Sequence, residues 1–111
     1  MTLQQSISRK TDRYEEMLNE AVDKALTRVF GSTAAKVIYT YLENNHSIKK
    51  NEIAEKIESF SQAMQEYFNS GATVVEKEIL ESFYSDLGVF QPVELENNNE
   101  FVQRLKTLMP P

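Results

Sequence analysis

The chain has no cysteine, no tryptophan, a single histidine, and only three glycines and three prolines. Without a thiol there is no disulfide, no cysteine nucleophile and no thiolate metal site, a composition that fits a reducing compartment. So little glycine and proline leaves few residues for the turns of a β architecture. No run approaches the ~20 apolar residues of a membrane span, and Met1-Thr2-Leu3-Gln4-Gln5 lacks the charged and apolar regions of a signal peptide. The expected location is the cytoplasm, with no membrane partner. Basic residues are also scarce, 12 against 17 acidic ones for a net charge of -5, so bulk attraction to nucleic acid or anionic lipid is not expected.

A helical rhythm runs through the 111 residues, one domain's worth of chain. Leu3 and Ile7 stand apart among polar residues, so 1–11 reads as a mobile arm ahead of an all-helical domain over 12–109. From Tyr14 the apolar positions Met17, Leu18, Ala21, Val22, Ala25, Leu26, Val29 and Phe30 keep amphipathic spacing, with Asp12 and Glu15 as a capping box and Gly31 as the stop. Ser32 is the expected cap of a second helix with the face Ala34, Val37, Ile38, Tyr41 and Leu42. A short helix is expected over 51–57, then a fresh capping box at Ser59 and Gln62 with Phe60, Ala63, Met64, Tyr67 and Phe68 facing inward. Gly71 is expected to turn the chain with a positive φ. Val75, Ile79, Leu80, Phe83, Tyr84 and Leu87 mark the next helix, closed by Gly88. Pro92 prevents continuation. Asn97-Asn98-Asn99 can cap a last helix, formed by Phe101, Val102, Leu105, Leu108 and Met109 ahead of Pro110-Pro111. The fold class is therefore all-α, a compact single domain of five to six helices.

The segments Phe30-Gly31, Tyr39-Thr40-Tyr41-Leu42-Glu43, Phe60-Ser61-Gln62-Ala63-Met64, Gly71-Ala72-Thr73-Val74-Val75-Glu76 and Ile79-Leu80-Glu81-Ser82-Phe83-Tyr84 together resemble a small archaeal helical family, the Nitrosopumilus output domain five. The resemblance covers about 21–87. It implies an output or interaction module of signalling proteins and brings no catalytic or ligand-binding residue with it.

Enzyme chemistry finds little support in the residues. His46 lies in the polar stretch Glu43-Asn44-Asn45-His46-Ser47 and reads as a solvated turn residue. One imidazole and no thiol make no zinc set, and no metal or cofactor is expected. Glu76, Glu78 and Glu81 flank Lys77, and the reading preferred to catalysis is a surface pair between Lys77 and Glu81. Ser70-Gly71-Ala72 opens a helix whose free amides can hold an anion, but the glycine-rich loop of nucleotide-binding proteins is missing.

Two functional readings remain. Residues 37–57 and then the helix from Ser59 have the rhythm of a helix-turn-helix, which would need a basic surface around Lys49, Lys50 and Lys56. Between Ile57 and Glu100 nine acidic residues face one basic residue, which argues against a phosphate backbone as partner. The favoured reading is a non-enzymatic regulatory module that binds protein and self-associates. Nine apolar positions on the first helix exceed a narrow core face, and Tyr14, Met17 and Leu18 are the candidate interface.

Overall fold

The computed structural model describes residues 2–90, 92–95 and 98–108. It is all-α: α1 spans Thr2–Phe30, α2 Ser32–His46, α3 Ile57–Phe68, α4 Ala72–Leu87 and α5 Asn98–Leu108, with one-turn 3₁₀ helices at Lys50–Glu52 and Asn69–Gly71 and no strand among the described residues. The radius of gyration, 13.9 Å, is close to the ~13 Å of a folded chain of this length, as one shared core requires.

α1 and α4 form the centre of that core. Ion pairs Arg28–Glu78 (3.0 Å) and Lys24–Asp86 (3.2 Å) run in opposite senses along the two helices and mark them as antiparallel. Between them Leu18, Val22, Ala25 and Leu26 meet Val75, Ile79, Leu80 and Phe83, all buried. α2 adds Ile38 and Leu42, α3 adds Phe60 and Met64, and α5 closes the assembly with Phe101 and Leu105. The segment 92–95 is irregular, and Val93 plugs into the core from it.

Several helix boundaries differ from those the sequence predicts. The arm expected over 1–11 is helical from Thr2 onward, and Asp12 lies inside α1 and cannot cap it. Nothing between Thr2 and Asp12 is glycine or proline, so a helix nucleated by the packed part of α1 propagates backwards at little cost. Gly31, not Ser32, is the N-cap of α2, with φ 88 and ψ 163, and no side chain caps the helix. This backbone region is open essentially to glycine alone, which lets a single residue join two helices.

The short helix expected over 51–57 does not form. Instead, the 3₁₀ turn at Lys50–Glu52 and a further turn lead into α3, which starts at Ile57 with Lys56 as its N-cap, so Ser59 lies within the helix. The side chain of Asn19 accounts for this path. It accepts the Ala54 amide at 2.9 Å and donates to the Asn51 carbonyl at 3.0 Å, satisfying two backbone groups that a helix would have used.

Gly71 is also corrected: its φ is -76, within the right-handed helical region. The positive φ of that junction falls on Asn69, at φ 54 and ψ -124, whose amide bonds to the Gln65 carbonyl. Gly88 closes α4 in the left-handed conformation, with Gly88 N–H on Ser85 O and Val89 N–H on Tyr84 O in a Schellman arrangement. Residues 97 and 109–111, expected to cap and end the last helix, lie outside the described residues.

Candidate interaction surface

α2 buries most of the face its apolar spacing predicts, with Ile38 and Leu42 in the core and Ala34 and Tyr41 half-buried, but it is turned slightly from it. The buried residues are Ala35, Ile38 and Leu42, so the helix is turned and Val37 points outward with 55% of its surface exposed. Tyr41 lies one turn further along the same side of the helix, at i+4 from Val37. Its ring packs on Tyr67 of α3 at 4.8 Å between centroids, Tyr67 packs on Phe68 at 4.8 Å, and Phe68 stacks on Phe30 at 5.1 Å. At the other end Tyr41 meets His46 edge-on at 5.4 Å. A continuous row of five rings thus lies across the ends of α1 and α3 and along α2. None of the five is fully buried, and Tyr67 is 37% exposed.

His46 is therefore not a solvated turn residue. It is half-buried, and its Nε2 lies 3.2 Å from Glu66 Oε1 and 3.3 Å from the Tyr41 hydroxyl. Partial burial, and then the Glu66 carboxylate, raise the Tyr41 phenol above its ordinary value, so it stays a neutral donor to Glu66 at 3.4 Å. On the opposite edge of α2 the Tyr39 hydroxyl donates to Asp23 Oδ1 at 2.9 Å, and burial together with Asp23 keeps that phenol protonated too. These groups tie α2 to its two neighbours.

The candidate interface on α1 separates into unequal parts. Leu18 is a core residue, 1% exposed, and is not available to a second chain. Tyr14 and Met17 are half-buried and pack against the core, Tyr14 edge-on to Phe83 at 6.4 Å. Most of the apolar arc on α1 is covered by the packed helices, but Val29 stays exposed, and further exposed apolar side chains lie on α2 at Val37, on α3 at Tyr67, on α4 at Val74 and at Phe90.

The acidic cluster of α4 also divides. Glu78 pairs with Arg28, and Lys77 and Glu81 are exposed without forming the expected pair. Glu76 is fully buried: its Oε2 accepts a 2.8 Å hydrogen bond from Ser61 of α3, and its Oε1 has no hydrogen-bond partner. Burial pushes its pKa up to about 7, with the Ser61 bond opposing the shift. The sequence carries a signal for this, since position 76 falls four residues after Ala72 and three before Ile79, on the core stripe of α4.

Two of the three lysines around the helix-turn-helix rhythm are engaged within the chain. Lys50 lies 3.3 Å from Asp23 and 5.2 Å above the Tyr39 ring, and Lys56 donates to Ser47 O and Glu52. Glu52, held by the Lys49 amide and then by Lys56, is lowered below the ordinary carboxylate value. α3 itself, the helix that would enter a groove, carries Glu58 and Glu66 and no basic residue.

Among the described residues no group of three or more histidines, aspartates or glutamates could hold a metal ion. No helix among them is long and apolar enough to cross a membrane. No family model, curated protein or solved structure matches the chain.

Proposed function

We propose that the chain is a non-enzymatic interaction module that works by protein–protein association, and that a second copy of itself is the partner. The observation that supports this reading is the exposed apolar side of α2 and α3, with Val37 outward and the row Tyr41, Tyr67, Phe68 and Phe30 beside it. Aromatic rings fixed by mutual contact supply apolar area with little rotamer entropy left to lose on binding. The flanking charges favour a second copy. Lys36 borders Val37 on the side away from α3, and Glu66, half exposed, borders the row on α3. Two copies related by a two-fold axis would set each Lys36 towards the partner's Glu66, the self-complementary pattern an isologous interface requires. An output-type regulatory role, implied by the resemblance over about 21–87, would be carried by the same surface.

Sedimentation over a concentration series tests the proposal. Wild type is expected to dimerise by the high micromolar range, and Lys36→Glu combined with Val37→Glu to give a folded monomer, because both positions are exposed and tolerate charge in the free chain. A wild type that stays monomeric at ~1 mM, or a double variant that still dimerises, would overturn self-association through this face.

A further inference from the structure

Glu76 is a carboxyl inside the core with one oxygen bonded and the other left without a partner. A neutral acid loses one hydrogen bond there, whereas a carboxylate loses its hydration with no cation to replace it. Among the described residues, none of the elements packed on α4 supplies that cation. On α3 the acids are engaged elsewhere, Glu58 with Lys106 at 3.4 Å and Glu66 with His46 at 3.2 Å. On α1, Lys24 and Arg28 reach α4 at Asp86 and Glu78 instead. On α5, Arg104 donates to the Glu94 carbonyl, Lys106 is the partner of Glu58, and Glu100 is a half-buried acid.

Ser61, which donates to Glu76 Oε2, is itself beside open space. That serine lines a cleft of about 360 Å³ between α3 and α5, together with Gln62, Gln65, Val102 and Gln103. α5 is the element most easily lifted from this cleft. It is a short helix of 11 residues whose contacts include the buried Phe101 and Leu105, the partly buried Val102 and Leu108, and an exposed ion pair from Lys106 to Glu58.

We propose that Glu76 is a proton-operated latch on α5: with the carboxyl protonated α5 stays docked on α3 and α4, and ionisation opens the α3–α5 cleft so that water reaches the carboxylate. Only the docked state disfavours ionisation, so opening is linked to loss of the proton. The docked carboxyl titrates near 7 and a hydrated one near the ordinary 4.5. The opening constant of α5 therefore rises about tenfold per pH unit between these values, about 300-fold in all, and levels off above them.

Amide hydrogen exchange of the full chain tests the latch, read peptide by peptide from pH 4.5 to 8 and corrected for intrinsic exchange. In wild type the protection of 98–108 is expected to fall with pH through an opening that depends only weakly on added denaturant, distinct from the global unfolding that exposes α1 and α2 and carries the same pH linkage, and in Glu76→Gln the protection of 98–108 is expected to stay flat. Loss of protection at the same pH in both proteins, no pH dependence in wild type, or an opening of 98–108 with the full denaturant dependence of α1 would overturn the proposal. Ser61→Ala supplies a second readout should Glu76→Gln fail to fold. Because the Ser61 bond lowers the Glu76 pKa, its removal is expected to move the levelling-off to higher pH, and an unmoved profile would count against the latch.

Discussion

Asn19 accepts the Ala54 amide through its side-chain oxygen at 2.9 Å, although 35 positions separate the two residues. With its amide donating to the Asn51 carbonyl, one side chain on α1 replaces the hydrogen bonds of a helical turn that the chain between α2 and α3 does not make. Asn19→Ala leaves the part-buried Ala54 amide unpaired while the exposed Asn51 carbonyl turns to water, and a loss of roughly 1–3 kcal/mol is expected in denaturant melts. Asn19→Asp keeps the acceptor and loses the donor, and should fall between wild type and Ala.

Glu76→Gln is expected to stabilise the fold in a pH-dependent way. The folded pKa, about 7, lies above the ordinary 4.5, so between these values the unfolded chain has lost a proton that the folded chain retains. Wild-type stability from this group is full below pH 4.5, falls as pH rises to 7, and is constant above. The fall amounts to about 3 kcal/mol. Melts of the two proteins should therefore nearly coincide at pH 4 and differ by about that amount at pH 8.

The junction of α3 and α4 should respond at Asn69 and not at Gly71. Asn69 has a positive φ with ψ -124, which glycine adopts without a Cβ contact, so Asn69→Gly is expected to stabilise by about 1 kcal/mol. At Gly71 φ is -76, and an added Cβ would meet only Phe68 Cβ, at an ordinary 3.7 Å. Gly71→Ala should be neutral or stabilising by up to about 1 kcal/mol. Thermal or denaturant melts of the two variants against wild type check both expectations, and a clear loss at Gly71→Ala would contradict this backbone assignment.

Duplex DNA is not expected to bind. Lys50 and Lys56 are held by acids of this chain and α3 is acidic, so a phosphate row would meet few cations. Fluorescence polarisation with random duplex at ~150 mM salt should show no micromolar affinity. Salt-sensitive binding at that level would restore the helix-turn-helix reading.

The residues legible from sequence are those whose position is set by local spacing. The extent of α4 and the stop at Gly88 come from a strict apolar stripe and a glycine with no competing signal. The path of 51–57 is not legible, because its backbone is satisfied by Asn19, a partner remote in sequence. α2 shows a related ambiguity. Its apolar arc is wide enough for two orientations, and the choice between burying Val37 and burying Ala35 depends on Tyr39 reaching Asp23 on one side and Tyr41 reaching Tyr67 on the other. Glu76 looks like a surface residue wherever charge is weighed ahead of periodicity, and only its place on the α4 stripe gives it away.

The single-residue joint at Gly31 makes the chain unequal in its tolerance of changes in length. α2 is registered against α1 by the Tyr39–Asp23 bond, while just before the joint Phe30 of α1 is fixed by its stack on Phe68 of α3. One residue inserted beside Gly31 would rotate α2 by about 100° and break the Tyr39–Asp23 register. In the described segment 92–95 between α4 and α5, Val93 is buried, Leu95 packs against the core and the Glu94 carbonyl accepts from Arg104, contacts that set no helix against another. Natural variants that differ by an insertion or deletion should therefore keep the α1–α2 corner intact and vary in the approach to α5.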